Sequence, residues 1–217
     1  MSLTQLLTVS PSNVSNPDGT NPTLLGGKAG EAIVAELHGK FYTQNYRGHV
    51  FCATASVTPG ALASTAQTFG LWNYSGSPVN LVPIRFILGA VTTAAGTAGG
   101  LGFGYATNWG AGSLATGGVS AITTISAINM NIGGLNSTVA KGVPFSAATV
   151  VAAQEPTAFL PLFTFSTQAL TAGNQAPMVY DFDGTVIVAP GTTIALGTFT
   201  EASLVGNFAL VWGEAPI

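Results

Sequence analysis

An all-β fold, an antiparallel β-sandwich of jelly-roll type behind an extended N-terminal arm, is what the sequence predicts. Three observations predict it. Short runs rich in Val, Ile, Thr and aromatic residues recur along the chain, and 28 glycines and 12 prolines fall mostly between them. No long segment carries the 3.6-residue apolar period of a helix. The length, 217 residues with 47% apolar, suits one large β domain with a sizeable core.

Residues 1–30 read as the arm. "SPSNVSNPDGTNPT" packs Pro, Asn, Ser and Asp-Gly into a short span, which gives turns and extended pieces rather than a packed element. Residues 31–217 read as the sandwich. "EAIVAELHGKFY" opens it as a short helix or a strand. "GHVFCATASV" is a β run stopped by "TPG", and "TFGLWNYS" is another stopped by "GSP". "VNLVPIRFILGAV" is the longest apolar strand candidate; Pro83 inside it predicts an edge position or a bulge. From Thr92 to Gly118 small residues dominate, which suits two short strands with long turns. In "VSAITTISAINMNI" isoleucines three apart hint at helix, but Thr123, Thr124 and Ile125 favour strand.

"MVYDFDGTVIVAPGTTIALGTFT" predicts a strand, a turn at Pro190-Gly191 and a second strand. In the second strand Ile194 and Leu196 share one face, and Thr193 and Ala195 the other. "SLVGNFALVWGE" predicts the last strand. Its alternate residues, Leu204, Phe208, Leu210 and Trp212 against Val205, Asn207, Ala209 and Val211, make both faces largely apolar. That predicts a strand covered on both sides, in a sandwich core with a neighbouring subunit or in a packed lattice.

Charge narrows the function classes. Only 6% of residues are charged, where about 25% is usual. The chain is rich in apolar residues, so the deficit is not that of a disordered segment. It points to a surface covered by other protein. Membrane insertion is not expected. Residues 86–140 carry no charge but are broken by Gly, Thr, Ser and Asn, and a spanning helix needs about 20 predominantly apolar residues. "MSLTQLL" lacks the basic start of an export signal. Five scattered Lys and Arg residues do not form a phosphate-neutralising face, so nucleic acid is not an expected partner. A single cysteine, Cys52, excludes an internal disulfide, and its strand context reads as a buried, inert thiol.

No enzyme signature emerges, and no catalytic, cofactor-binding or metal-ligating residue is assigned. No G-x-S-x-G elbow is present, and no acidic residue lies between Glu36 and Glu155. Gly100, Gly102 and Gly104 form G-x-G-x-G without a basic residue or a strand–helix unit, unlike a phosphate loop. "DFDG", Asp181 to Gly184, begins like a calcium loop but is followed by no further carboxylate. Asp183-Gly184 reads as a turn, and Asp181 with Asp183 as a weak cation site at most.

The most chemically crowded stretch is "ELHGKFYTQNYRGHVF", Glu36 to Phe51, which holds both histidines. Glu36, His38 and His49 would give three metal ligands across a hairpin, but Lys40 places an ammonium beside them. A contact surface suits the composition better: Phe41, Tyr42, Tyr46, Arg47 and His49, with Trp212 of the last strand, are residue types that carry interface energy. The bland alternative is that the aromatics cover the edge of their own core.

"LHGKFYTQNYRGHVF", "LWNYSGSPVNLVPIRF", "YDFDGTVIVAPGTTIALGTF" and the closing "FALVWGEAPI" together resemble structural proteins of tailed bacteriophage particles. The nearest family is the jelly-roll decoration, or cement, proteins of capsids. The likeness spans most of residues 31–217 as an order of patterns and carries over no functional residue. It implies a non-enzymatic virion protein on the capsid surface, assembled in the host cytoplasm. Such a protein is commonly a homotrimer and clamps the major capsid protein. The alternatives are another particle component, such as a tail, neck or fibre protein, or a carbohydrate-binding sandwich using Trp72, Trp109 or Trp212.

Overall fold

The computed structural model describes residues 40–93, 99–107, 109, 119–134, 138–151, 155–165, 177–199 and 205–217. The expected arm, and with it Glu36 and His38, lies outside the described residues. The chain divides into two units, Met1–Tyr42 and Thr43–Ile217, and the second holds the sandwich.

One short helix, α1 (Tyr42–Tyr46), precedes twelve strands among the described residues. In order they are β1 (Val50–Val57), β2 (Ala66–Gln67), β3 (Gly70–Asn73), β4 (Val79–Thr93), β5 (Gly99–Thr107) and β6 (Val119–Thr124). Then follow β7 (Ile128–Asn129), β8 (Val143–Val150), β9 (Thr157–Phe165), β10 (Met178–Asp181), β11 (Thr192–Thr198) and β12 (Val205–Pro216). They form two antiparallel sheets. Sheet I runs β10-β4-β12-β1-β7; sheet II runs β2-β8-β3-β11-β5-β9, with β6 also on β8. The fold is therefore the expected all-β antiparallel sandwich.

The pairing is nested. β1 pairs with β12, β3 with β11, β4 with β10, and β5 with β9, so early strands meet late ones from the outside inward. The β4–β12 and β11–β5 ladders then join these pairs into the two sheets. The β6–β7–β8 segment is an excursion between β5 and β9.

The core follows the two-residue period. Phe51 and Ala53 of β1, Phe86 and Leu88 of β4, and Phe208, Leu210 and Trp212 of β12 face sheet II. Leu71 of β3, Leu101 and Phe103 of β5, and Ile194 and Leu196 of β11 meet them. Phe86 stacks on Phe208 at 5.9 Å and meets Phe103 edge-on at 5.2 Å. Each such ring removes enough apolar surface from water to contribute about 1.5–3 kcal/mol.

Within the single chain, double coverage falls on β11. In β12 one face is buried and the other is half-buried or exposed. In β11 both faces are buried: Ile194 and Leu196 lie in the inter-sheet core, while Ala195 joins a second cluster with Trp72, Trp109 and Phe145 behind sheet II. The glycines of the G-x-G-x-G run explain part of that coverage. Gly102 and Gly104 alternate onto the outer face of β5. A methyl group on Gly102 would strike the Phe199 ring and the Leu160 carbonyl; one on Gly104 would lie 2.9 Å from Pro156 and 3.0 Å from Leu62. The bare backbone lets the protein's own chain pack onto sheet II.

Pro83 and Pro161 sit at bulges. Trp212 pairs with Pro83 directly after Val211 pairs with Arg85, which leaves Ile84 as the extra residue. β4 is an interior strand, so of the two expected accommodations for Pro83 the bulge is the one used. Pro161 on the edge strand β9 sits at a similar register shift against β5. The run from Met178 to Ala189 is broken after β10 by the turn expected at Asp183-Gly184. Asp183 and Gly184 take positive φ, 51° and 76°, and Thr185 N–H closes the turn on Phe182 C=O at 2.9 Å. The Pro190-Gly191 turn forms as expected, with Gly191 at φ 83° and Thr192 N–H donating to Ala189 C=O.

Candidate interaction surface

The loop between α1 and β1 is built by its sequence. Gly48, at φ 75°, ends the helix: its N–H donates to Asn45 C=O at 2.9 Å, and His49 N–H reaches back to Gln44 C=O at 3.0 Å. This is a Schellman closure, which needs a residue free to adopt the left-handed conformation. The "YRG" segment is thus a helix stop.

A second segment is fastened to that loop. Asn129 Nδ2 and Thr138 Oγ1 both donate to Gly48 C=O, at 2.8 and 2.6 Å. Asn131 Nδ2 donates to Tyr46 C=O at 3.1 Å, and Met130 N–H to Val50 C=O at 2.9 Å. Polar groups near the backbone are thereby paired, and apolar tips are left outward. Tyr46 is 46% exposed, Ile132 and Val139 are each 83% exposed, and Ile128 and Met130 are exposed beside them. A groove of about 470 Å³ runs alongside, between Thr124–Asn129 and Thr138–Pro144, and no charged side chain lines it.

Glu214 holds the far wall of the groove. It is only 6% exposed, and its Oε1 accepts from the backbone N–H groups of Lys141 and Gly142, each at 2.8 Å. The Trp212 indole N–H approaches the same oxygen at 3.4 Å. A buried carboxylate is tolerable because amide donors replace its water. Gly142 has to be small, since a Cβ there would meet Leu81 at 2.9 Å and the Trp212 indole at 3.0 Å.

The expected contact residues divide accordingly. Tyr46 and Arg47 are exposed, His49 is half-buried, and all three belong to the loop just described. In the other unit Tyr42 is exposed and Phe41 half-buried, with the Lys40 ammonium 5.4 Å from the Phe41 ring centre. Trp212 is corrected: it is 0% exposed and stacks on Phe51 at 5.9 Å inside the sandwich, so it offers nothing to a partner. Its apolar face on β12 turns inward, and the opposite face of the strand is the outward one. Sequence reading missed Ile128, Met130, Ile132 and Val139. Their signal was a pair of β-poor, Asn- and Gly-containing segments carrying large apolar residues.

A second exposed face is the outside of sheet I. Register places Val179, Ile87, Ala209 and Thr54 in one row across β10, β4, β12 and β1. The next row is Asp181, Arg85, Val211 and Cys52. Arg85 Nε donates to Asp181 Oδ1 at 2.6 Å and Nη2 to Oδ2 at 3.2 Å, and both side chains are about half exposed. The hydrogen bond to Asp181, then its charge, raises the Arg85 pKa above its ordinary value. A cation at Asp181 would have to displace this guanidinium. Burial pushes the Cys52 thiol up, the wrong direction for a nucleophile.

Among the described residues no three His, Cys, Asp or Glu side chains gather as a metal site would require. No helix among them is long and apolar enough to cross a membrane. Trp72, Trp109 and Trp212 are all buried, which removes the indoles a sugar would stack on. The exposed pair Tyr105–Phe159 meets edge-on at 82°, so it offers no shared flat platform. Comparison with protein-family models, curated proteins and solved structures finds no match to the chain.

Proposed function

We propose that the chain is a non-enzymatic structural subunit of a virus particle, one that self-associates and seats on the capsid lattice as a decoration or cement protein. The observation that carries this is the charge-poor apolar surface around Tyr46, Ile128, Ile132 and Val139, held rigid by side-chain hydrogen bonds to backbone. Monomeric soluble domains keep such patches small, and larger ones mark contact with other protein.

The nested strand order supports the same reading. β1-β12-β4-β10 in one sheet and β3-β11-β5-β9 in the other are what results when a long antiparallel hairpin is wrapped into two sheets. We read that order as a jelly roll, an architecture frequent in capsid and lectin domains. The order of sequence patterns resembles that of decoration proteins, in which trimers clamp major capsid subunits. Fold alone does not select a function, so the surface bears the argument.

The test is sedimentation of the purified chain, followed by co-sedimentation with undecorated tailed-phage capsid shells. An oligomer that loads shells to saturation is expected, and Ile132→Asp with Val139→Asp abolishes loading while leaving the circular dichroism spectrum intact. A stable monomer that ignores shells overturns the proposal.

A further inference from the structure

The groove beside Asn129 has a definite chemistry. Ile125, Ala127, Val139, Ala140, Val143 and Pro144 line it, and no charged side chain does. Two of its polar side chains are already engaged, since Asn129 Nδ2 and Thr138 Oγ1 donate to Gly48 C=O. What it offers a ligand is mainly apolar contact. A charged segment seated there would lose water and gain no ionic partner.

One stretch of the chain matches that demand. Residues 2–17, "SLTQLLTVSPSNVSNP", hold no charged side chain and carry Leu3, Leu6, Leu7, Val9 and Val14. Other long uncharged runs, 48–84, 86–140 and 156–180, supply strands of the sandwich and are committed to it.

We infer that the groove of one copy receives residues 2–17 of another, so that copies are joined by exchange of their N-terminal segments. Attachment and reach support this occupant. The sandwich unit begins at Thr43, inside α1, and the loop that follows α1 is the one to which groove residues Asn129 and Thr138 are fastened. Each copy therefore presents its groove beside the point where its own N-terminal segment is attached. Residues 18–42 lie between, and at about 3.3 Å per extended residue they can span up to about 80 Å, past the roughly 40 Å breadth of a domain this size. The exposed side chains of Tyr46, Ile132 and Val139 argue for a second copy as the donor. A segment filling its own groove would leave them in water, whereas a second body delivering the segment can cover them as well. Exchange of an identical element is a low-cost route to an oligomer.

The inference rests on the reading of the chain as a self-associating subunit and adds the segment and the groove through which it does so.

The test uses the full chain. Leu6→Asp with Leu7→Asp charges the donor segment, and Thr124→Asp with Val139→Asp charges the groove. Thr124 and Val139 are exposed, so the groove variant keeps its fold, which circular dichroism checks. In sedimentation each variant alone should self-associate about a hundredfold more weakly than the parent, because carboxylates would have to enter an apolar site. Mixing the two should restore a one-to-one complex: the segment variant keeps a neutral groove, and the groove variant keeps a neutral segment. A segment variant that associates like the parent, or a mixture that stays dissociated, overturns the exchange and leaves the subunit reading standing. A parent that is a monomer at every concentration overturns it too, and whether that monomer loads capsid shells then decides the subunit reading separately.

Discussion

Replacing Glu214 tests how the groove wall is held. Its Oε1 accepts two short amide hydrogen bonds, from Lys141 and Gly142, in a site almost closed to water. Hydrogen bonds to a charged group contribute about 1.5–3 kcal/mol each, and removing the acceptor strands the buried Gly142 donor. Glu214→Ala should therefore cost about 3–6 kcal/mol, a large share of the roughly 5–15 kcal/mol stability of a domain. The Trp212 contact is longer, at 3.4 Å, and adds little. Glu214→Gln keeps an acceptor in place but makes the bonds neutral, so it should cost about half as much. Urea unfolding followed by tryptophan fluorescence reads both values. Amide exchange at Lys141 and Gly142 should quicken in the Ala variant before global unfolding does. The reasoning is refuted if Ala costs under about 1 kcal/mol, or if Gln costs as much as Ala.

Three further outcomes are expected. Gly102→Ala should lower Tm sharply or prevent folding, because its methyl group would strike the Phe199 ring and the Leu160 carbonyl; Gly100→Ala, with its nearest contact at 3.6 Å, should be far milder in the same thermal melt. Ile132→Asp and Val139→Asp should leave unfolding free energy within about 0.5 kcal/mol of the parent, since both side chains are exposed, while removing partner binding in co-sedimentation. For Cys52 the folded thiol pKa is raised above 9.0, so the unfolded chain loses its proton first as pH rises. Stability is then full below about pH 9 and declines above it, a decline that urea titrations should show to be absent from Cys52→Ala. A thiol reagent at pH 8 should also label the native protein more slowly than the unfolded chain.

The strands that sequence reading found are those whose side chains declare a period. β11 and β12 carry Ile, Leu, Phe and Trp at alternate positions, β1, β3 and β4 are rich in β-branched, aliphatic or aromatic residues, and the structure places each where the run predicted a strand. β8, "VPFSAATV", and β9, "TAFLPLFTF", were not singled out. The first is half small residues. The second is apolar at nearly every position and broken by Pro161, so neither shows alternation. The inward turn of Trp212 was legible from its partners Phe208 and Leu210. The opposite face of β12, with Asn207, Ala209 and Val211, is the outward one. The groove was invisible for a different reason. Asn129, Asn131 and Thr138 act on backbone carbonyls about 80–90 residues away in sequence, and no local pattern encodes a contact at that range.

The scarcity of charge gains a physical meaning from where the charges sit. Glu214 is spent inside, on backbone amides; Arg85 and Asp181 neutralise each other on one face. Thr54, Ser56 and Asn207, exposed on sheet I, keep water through hydroxyls and an amide rather than through ions. Removing such a surface from water releases apolar area without stripping hydration from many charged heads, the term that most often erodes affinity. Covering a neutral face with a single ion pair would therefore carry a low desolvation cost, with little dependence on salt beyond that pair. An enzyme surface that must hold and release a polar substrate has the opposite need, for convergent titratable groups in a cleft. The groove beside Asn129 has the volume of a ligand site but none of that chemistry, and it is continuous with exposed Val139. Size without titratable groups suits the packing of another protein's side chains, as the proposed structural role would require.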